Sequence, residues 1–389
     1  MPLPDPVFLL VPHRHFTGSN SGSVFSQLPT NGTGDFIFTR STIGSYVNSS
    51  GFITTSSIHE PRIKHFYTGS NDRSGFLIEP TSTNLIVNSE AINLWQTASM
   101  VPAISNSSAT VDPSNKNTSD KIIADATINA HYVLANYSPQ VTGSYTFSIF
   151  AKAAEYNFLR IQDLQFGMFY ANVNLTNGEI PQYGTSVPGK SPKFNTQNYG
   201  NGWYRCIVTY EGDGRPISIG ILGVPNSSSY IDYLGDGTSG VYVWGAQLET
   251  GTVATSYIPT TTTSVTRNAD VLTDTSYTLP TPSGSIYTEF NALSEYSCFV
   301  NLAGPILITT GSNRIAITYT NSNISVYKNG AFVVSQSAPN TIGGNIINLG
   351  HSSGSFQLND TLRGFAIYNT PLSAPDAILL TSGSNRRYL

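Results

Sequence analysis

Apolar and polar residues alternate along several stretches in the middle of the chain, and this pattern predicts half-buried β-strands. In YTFSIFAK (145–152) the alternation places Tyr145 and Phe147 on one face. WYRCIVTY (203–210) and ISIGILGV (217–224) repeat the same period of two residues. Apolar residues at helical spacing are scarce. The hydrophobic pattern therefore predicts a mainly β protein.

Two further stretches predict how strands end. ISVYKNGAFVV (324–334) contains Asn329-Gly330, which accepts the positive φ angles of a type I′ turn and so predicts a hairpin. GVYVWGAQLETGTVATSYIPT (240–260) opens as a strand that is apolar on both faces, as expected inside a stack of sheets. Pro259 and the threonines around it then predict an extended connector to the next domain.

Short helices are predicted at two places. In LSAPDAILL (372–380), Ser373 can cap a helix whose first turn contains Pro375, where a proline removes no intrahelical hydrogen bond. A helix of one or two turns is predicted within residues 89–95. We find no heptad, tetratricopeptide, leucine-rich or hexapeptide repeat, so the chain is not predicted to be a solenoid or a coiled coil.

Changes in this pattern along the chain predict four segments. The segments are a polar, turn-rich N-terminal region (1–85), a region with the densest alternating strands (86–258), a Thr-rich linker (259–276) and a second β-unit (277–389). Prolines near the start, at Pro2, Pro4, Pro6 and Pro12, favour an extended strip laid against another subunit.

The composition describes the expected surface. Charged residues are only 11% of the chain, against roughly 25% in an ordinary soluble domain, so hydroxyl, amide and tyrosine side chains must cover the surface. Such surfaces are common in extracellular β-proteins that touch sugars or pack into assemblies. The net charge is −4 without a long basic run, which argues against nucleic-acid binding. No apolar run approaches the roughly 18 residues of a membrane span, so membrane insertion is not expected.

The expected compartment follows from two further features. The apolar patch at 7–11 is short and no basic region precedes it, so no secretory signal peptide is expected. Cys206 and Cys298 lie in different predicted domains, so a disulfide between them is not expected, and their spacing suits no metal motif. A virus particle would reconcile an extracellular type of surface with the lack of export signals, because it is assembled in the host cytoplasm and released by lysis.

Three groups of motifs resemble modules of bacteriophage virion proteins. FTRSTIGSYVNSSGFITTSSIHEPRIKHF (38–66) with GFLIEPTSTNLIVNSE (75–90) resembles a module common in phage fibres. TFSIFAKA, NGWYRC and GDGTSGVYVWGAQLETGTVATSYIPT, in this order, resemble the carbohydrate-binding-module-like sandwich of head-spike fibres. NRIAITYTNSNISVYKNGAF with LRGFAIYNTPLSAPDAILLTS is similar to the end of a laminin-G or concanavalin-like jelly roll.

The resemblance implies a mainly β fold, with an N-terminal anchor region (1–85) followed by two β-sandwich domains of jelly-roll type (86–258 and 277–389). It also implies a structural particle protein that is not an enzyme. It would be a short head or tail fibre at the virion surface, with host-surface polysaccharide as the candidate ligand. A capsid decoration or cement protein is the alternative, and a glycan-degrading tailspike is a third interpretation. Such fibres are usually homotrimers, so the expected partners are two further copies and other virion proteins bound through the N-terminal region. No cofactor is implied.

Two pairs of residues are candidate metal ligands, although no metal is predicted. His13 and His15 share a face if extended, which is similar to the H-x-H of some trimeric phage spikes around an axial metal. Exposed or interface histidines are the other interpretation, because no nearby carboxylate would orient the imidazoles. Asp232 and Asp236 could share Ca²⁺ with backbone carbonyls, as in many β-sandwich sugar binders. GDGTSG (235–240) lacks the lysine and the helix of a phosphate-binding loop and is predicted to be a turn.

Trp203 is the candidate for stacking on a sugar, with Arg205 beside it as a donor. The resemblance implies another arrangement, in which the tryptophan packs at the sandwich rim and the arginine holds a neighbouring loop. Trp244 has apolar neighbours and is predicted to be covered on both faces. Glu211 and Asp213 could share a face as a catalytic carboxylate pair, but the glycines beside them predict a solvated turn. No G-x-S-x-G or H-E-x-x-H motif indicates an enzyme.

Overall fold

The structure is a computed structural model of the chain. The residues that it describes are 6–10, 24–26, 36–65, 75–104, 106–137, 141–230, 232–274, 279–292, 296–300, 304–308, 310–337, 347–349, 351–352, 356–358 and 360–383. Their regular secondary structure is almost entirely β-strand, so the prediction of a mainly β protein is confirmed.

Short strands precede the first long sheet. They are β1 (Phe8–Leu10), β2 (Val24–Ser26), β3 (Ile37–Thr39), β4 (Gly44–Val47), β5 (Ile53–Ser56), β6 (Ile63–Lys64), β7 (Gly75–Ile78) and β8 (Ser82–Asn84). A 3₁₀ helix follows at Ile92–Leu94, inside the stretch where a short helix was predicted. It is a single turn.

The longest strands lie in the middle of the chain. They are β9 (Gln96–Ala98), β10 (Met100–Ile104), β11 (Asp120–Ala124), β12 (Ile128–Ala130), β13 (Tyr132–Tyr137), β14 (Thr142–Ala153), β15 (Phe158–Asp163), β16 (Tyr170–Asn174), β17 (Gln182–Gly184), β18 (Lys193–Asn198), β19 (Trp203–Asp213), β20 (Ile217–Val224), β21 (Asp232–Leu234) and β22 (Gly240–Thr250). The three alternating stretches of the sequence lie in β14, β19 and β20, so their strand predictions are confirmed.

The remaining elements are strands and one helix. They are β23 (Val265–Arg267), β24 (Val271–Asp274), β25 (Gly284–Ala292), β26 (Tyr296–Val300), β27 (Gly304–Ile308), β28 (Gly311–Tyr319), β29 (Asn323–Lys328), β30 (Ala331–Ser337), β31 (Ile347–Leu349), β32 (His351–Ser352), β33 (Phe356–Gln357), β34 (Asp360–Tyr368) and α1 (Ala374–Ser382). No helix in the described part of the chain is long and apolar enough to cross a membrane.

The chain divides into two compact units. Unit 1 comprises Met1–Tyr46, Thr55–Thr81 and Asn268–Leu389, and unit 2 comprises Val47–Thr54 and Ser82–Arg267. Unit 2 contains the first predicted sandwich. Unit 1 combines residues of the predicted N-terminal region, linker and second sandwich, so its strands come from both sides of unit 2 in the sequence. The four-segment division read from the sequence therefore differs from the division into units.

Unit 2 is a β-sandwich of two antiparallel six-stranded sheets. The covered sheet has the strand order β10-β11-β22-β14-β19-β18, and the open sheet has the order β17-β16-β15-β20-β13-β9. Alternate residues of both sheets fill the apolar core between them, for example Phe147 and Val208 from the covered sheet and Leu159 and Ile221 from the open sheet. The other residues of each strand lie on the outer faces.

The outer face of the covered sheet is buried. Phe150, Trp203 and Trp244 pack there with Ile53 and Tyr257 into a second apolar cluster. β22 lies between β11 and β14 and is buried along nearly all its length, in agreement with the two apolar faces of its sequence. Both faces of this sheet are thus occupied by packing.

The segment after β22 is held against this face. Arg205 Nη1 donates a hydrogen bond to the Thr255 carbonyl at 2.7 Å, and the Thr255 N–H donates to Glu249 at 3.0 Å. The N–H of Ile258 donates to Gln247 at 2.6 Å. Beyond it, β23 pairs with β8 and β24 pairs with β3 and β31, so the predicted linker contains two paired strands. Its valines and threonines suit a strand as well as a connector.

Unit 1 is built on a nine-stranded sheet. Its order is β2-β1-β34-β25-β28-β29-β30, with β7 pairing beside β34 and β6 beside β7. One face carries Ile317 and Phe365 into an apolar core that also contains Phe38 and Leu272, from the three-stranded sheet β3-β24-β31. The opposite face packs against α1, whose Leu380 is buried among tyrosines. The nine-stranded sheet of unit 1 therefore packs against the three-stranded sheet on one face and against α1 on the other.

The first described residues belong to this sheet. β1 pairs with β34 in antiparallel register, with Phe8 opposite Ile367. Leu9 and Leu10 are buried on opposite faces of the sheet. The predicted N-terminal region therefore includes a strand of unit 1, and its attachment to another subunit stays a prediction.

The predicted hairpin and C-terminal helix are confirmed. β29 and β30 pair around Asn329 and Gly330, whose φ angles of 49° and 83° are those that the Asn-Gly sequence predicts. Ser373 caps α1 by accepting the N–H of Asp376 at 3.3 Å. The helix ends at Gly383 in the left-handed conformation.

Candidate functional site

The structure removes Trp203 from the candidates for sugar stacking. Its residue exposure is 1%, and its Nε1 donates to the carbonyl of Val111 at 2.8 Å. Trp244 is equally buried and its Nε1 donates to Thr118 Oγ1 at 3.0 Å. Neither indole presents a face to a ligand, so both tryptophans serve packing. Arg205 holds the loop at Thr255, which agrees with what the family resemblance implied for this arginine.

The metal candidates receive no support from the structure. His13 and His15 lie outside the described residues. Asp236 accepts hydrogen bonds from the backbone and hydroxyls of Thr238 and Ser239, which lower the pKa of its carboxyl, so the loop is the predicted turn. Asp232 is exposed at the start of β21. Within the ranges that the structure describes, no three His, Cys, Asp or Glu side chains form a group that could hold a metal ion.

The candidate carboxylate pair lies on a strand rather than in a turn. β19 extends to Asp213, and the turn begins only at Gly214, whose φ is 87°. Glu211 accepts a hydrogen bond from the hydroxyl of Ser144, and Asp213 forms an ion pair with Arg215. Cross-strand pairing with β14 keeps the stretch extended through its glycines. Each carboxylate is therefore engaged by a neighbouring side chain.

The N-terminal motif residues of unit 1 meet in a buried charge network. Arg40 Nη1 lies 3.0 Å from Asp270 Oδ1, and Arg62 pairs with both Asp270 and Glu79. All four side chains are buried. Burial alone would lower the pKa of Arg62, but the two carboxylates more than offset it and raise that pKa. Two cations and two anions balance here, so the network organises unit 1 and is not a ligand site.

The open sheet of unit 2 carries polar side chains on its outer face. Leu159 and Ile161 of β15 point into the core. Because side chains alternate along a strand, Arg160 and Gln162 point outward. Neighbouring strands place further polar residues opposite these two in register. We define the Arg160 site as Arg160, Gln162, Tyr170, Asn172 and Gln182 on the strands, with Tyr230 in the loop after β20.

Arg160 is fixed by neutral partners. Its Nε donates to Gln162 Oε1 at 2.8 Å, and its Nη1 donates to Asn172 Oδ1 at 2.9 Å and to the Ser229 carbonyl at 3.4 Å. Nη2 makes no hydrogen bond to the described residues. The guanidinium is thus held in one orientation, and its Nη2 has no acceptor among the described residues.

Two tyrosine rings flank the guanidinium. The Arg160 Cζ lies 5.1 Å from the ring centroid of Tyr170 and 5.3 Å from that of Tyr230. Tyr170 is half-buried, and a Cβ at Gly184 would lie only 2.8 Å from its hydroxyl, so glycine leaves room for the phenol. Tyr230 is 62% exposed, whereas Arg160 beneath it is 2% exposed. A flat aromatic surface therefore lies open to solvent beside a buried cation.

Asn172 connects the sheet to the loop that carries Tyr230. Its Nδ2 lies 2.9 Å from Gln182 Oε1 and from the carbonyls of Ser227 and Ser229, and its Oδ1 accepts from Arg160. This buried amide therefore fixes the loop and the guanidinium together. The site is preorganised, since the residues that orient the exposed ring are themselves held by hydrogen bonds.

The Arg160 site has an unbalanced charge. Burial is the main cause that lowers the pKa of Arg160, and the rings of Tyr170 and Tyr230 only partly offset it. Among the residues that the structure describes, no carboxylate lies within ion-pair distance of this guanidinium. The described residues of the site therefore offer a cation, amides and an aromatic ring to a ligand.

This site was not found by sequence reasoning. The alternation in FLRIQD of β15 could have placed Arg160 and Gln162 on a polar face, because Leu159 and Ile161 mark the core side. The approach of Tyr230 had no local signal, since this residue comes from a loop far along the chain. The sequence prediction of a sugar-stacking residue considered tryptophans, and its candidate Trp203 is buried.

Comparison of the chain with protein families gave no matching family model, and comparison with curated proteins gave no match.

Proposed function

We propose that this chain is a structural protein of a bacteriophage particle, a short head or tail fibre whose unit 2 contacts host-surface glycans at the Arg160 site. The observation that carries this proposal is the exposed ring of Tyr230 beside a fixed guanidinium and three amide side chains. An aromatic ring can pack on the C–H face of a sugar, while planar polar side chains hydrogen-bond its hydroxyls. The covered sheet, by contrast, is used for packing on both faces.

The sequence resemblance supports a phage particle as the setting. Arg40, Arg62 and Glu79 are positions of the N-terminal motif that resembles phage fibre modules, and they meet at Asp270 in one buried network. The motif therefore has a physical role in this fold, namely to organise unit 1. The proposed fibre is a homotrimer held on the particle by other virion proteins, and it binds glycans without cleaving them.

The test compares two tyrosines of unit 2 that are equally exposed. Tyr230 and Tyr183 are each 62% exposed, but only Tyr230 belongs to the Arg160 site. The labelled protein is titrated onto a panel of immobilised bacterial surface polysaccharides, together with Tyr230→Ala and Tyr183→Ala. We expect Tyr230→Ala to weaken binding about tenfold or more, as removal of a central aromatic contact does, and Tyr183→Ala to leave it near wild type.

Two results would contradict the proposal in different ways. Binding of Tyr230→Ala as strong as that of wild type would place the glycan site away from Tyr230. Binding to particles stripped of this protein, with no binding to any polysaccharide, would favour the decoration or cement protein. The number of copies on each particle separates these roles further, because a decoration is present in hundreds of copies and a tail fibre in a few tens at most. Release of reducing sugar would favour the tailspike.

A further inference from the structure

Arg160 and Arg205 are two of the buried arginines of unit 2, and they differ in how many of their nitrogens are hydrogen-bonded. Arg205 lies under the segment after β22, and all three of its guanidinium nitrogens donate, to Ser148 Oγ and to the Thr255 carbonyl. Arg160 lies at the open face, and only its Nε and Nη1 donate to the described residues. Every guanidinium nitrogen of Arg205 thus has an acceptor in the protein, whereas Nη2 of Arg160 has none among the described residues.

Among the described residues, Arg160 also has no carboxylate partner. In unit 1 the buried Arg40 and Arg62 both contact the carboxylate of Asp270. Arg160 contacts neutral amides, a carbonyl and two aromatic rings, which stabilise a cation less than a carboxylate does. A buried cation without a counter-charge is costly, and an anion that reached Nη2 would remove that cost.

We propose that the Arg160 site selects an acidic saccharide, whose anionic group accepts a hydrogen bond from Arg160 Nη2 while its ring packs on Tyr230. This inference rests on the proposed glycan-binding function and specifies its ligand class. Gln162 accepts from the guanidinium, and Gln182 accepts from Asn172 on the next strand. Both glutamines are half-buried, and their amide N–H groups are available to neighbouring hydroxyls. A guanidinium discriminates strongly here, because a neutral sugar would leave the desolvated cation without compensation.

The test uses acidic polysaccharides from bacterial surfaces, each paired with its carboxyl-reduced form. Reduction turns the carboxylate into a hydroxymethyl group and leaves the ring intact. Binding to the full-length protein is measured by calorimetry at low and high salt. We expect reduction to weaken binding about tenfold or more, in line with the loss of one charge-assisted hydrogen bond, and salt to weaken binding of the acidic form only. Sulfated polysaccharides show whether any anion suffices.

The variants separate this site from general charge attraction. Arg160→Gln removes the charge but keeps an amide that can reach Asn172, and it should abolish the preference for the acidic form. Arg215→Gln removes the same charge from an exposed arginine of unit 2 and should keep the preference. Arg160→Lys keeps the charge and should retain part of the preference. A melting curve of each variant shows whether it is folded.

Two outcomes would overturn the inference. If the protein binds glycans but the reduced forms bind as well as the acidic forms, the selection of an acidic sugar is wrong and the proposed function stands. If no polysaccharide binds, both proposals are wrong. Should Arg160→Gln fail to fold, the comparison of acidic and reduced forms on the wild-type protein decides the question alone.

Discussion

Glu90 is a partly buried acid at the end of the 75–90 motif. It accepts a hydrogen bond from Tyr257 at 3.3 Å, and Tyr257 in turn shares one with Ser89 at 2.7 Å. Burial is the largest influence and raises the pKa of Glu90 above its ordinary value of 4.5, while the bond from Tyr257 opposes the shift. The folded protein therefore binds this proton more tightly than the unfolded chain does.

Glu90 predicts a loss of stability with rising pH. A raised folded pKa gives stability that is complete below 4.5 and is lost as pH rises through the folded value. Glu90→Gln should remove this dependence and make unit 2 more stable than wild type at neutral pH, by about 1.4 kcal/mol for each unit of pKa shift. Urea unfolding from about pH 4 to about pH 8 measures the difference.

Tryptophan fluorescence is the appropriate signal for this measurement. All three tryptophans of the chain, Trp95, Trp203 and Trp244, belong to unit 2. Glu179→Gln, at an exposed glutamate of the same unit, is the matched control and should leave the pH profile as it is in the wild type. A profile of Glu90→Gln that runs parallel to wild type would show that Glu90 is not responsible.

Among the elements, the segment after β22 is held by a few polar side chains. Arg205 donates hydrogen bonds to Ser148 and to the Thr255 carbonyl. Glu249 accepts hydrogen bonds from Thr255 and from Ser82. These groups are buried, so each hydrogen bond is made where water cannot replace it. The segment then places Tyr257 into the aromatic cluster over the covered sheet. Its attachment therefore depends on polar bonds as well as apolar burial.

Arg205→Lys tests this attachment. A lysine keeps the charge but cannot form the planar fork, so Ser148 or the Thr255 carbonyl loses its donor. We expect unit 2 to lose about 2–4 kcal/mol, as for a buried network left partly unpaired. Hydrogen exchange should rise first in residues 252–260. Arg215→Lys at an exposed position should change neither the exchange nor the unfolding midpoint, and equal effects of the two substitutions would refute this account.

Elements with local signals could be predicted from sequence, and elements fixed by distant residues could not. The alternation in β14, β19 and β20 reports burial directly, and Asn329-Gly330 sets the turn between β29 and β30 by itself. β1 has three residues, and its place depends on β34 at the other end of the sequence. The strands in the Thr-rich linker likewise depend on distant partners. Residue type alone does not distinguish a strand from an extended connector there.

At the scale of the whole molecule, contacts between residues far apart in the sequence hold unit 1 together. β1 and β7 both pair with β34, and the Arg40 side chain reaches Asp270. Contacts of this separation leave no trace in a window of neighbouring residues, so the pairing of β1 with β34 was not predicted from the sequence. The same limit applies to the candidate site, because Tyr230 joins Arg160 only in the fold.

Leu10→Ala tests the part of β1 in unit 1. Leu10 is fully buried next to Phe365, so its truncation should cost about 2–5 kcal/mol. Amide hydrogen exchange in peptides that cover β34 should quicken, because β34 loses packing at its paired edge. Ile37→Ala, at an exposed position of β3 in the same unit, should leave that exchange near wild type. Unchanged exchange in Leu10→Ala would mean that β1 does not stabilise the sheet.

The pairing of β1 with β34 also determines the order in which the two units can be completed during translation. The ribosome makes β1 before unit 2, and it makes β34, with which β1 pairs, only after unit 2. At roughly 5–20 residues per second, β1 waits on the order of tens of seconds, while unit 2 already has its strands. Leu9 and Leu10 stay without their sheet for that time. A nascent chain halted before β34 would thus carry a complete unit 2 and an unfinished unit 1.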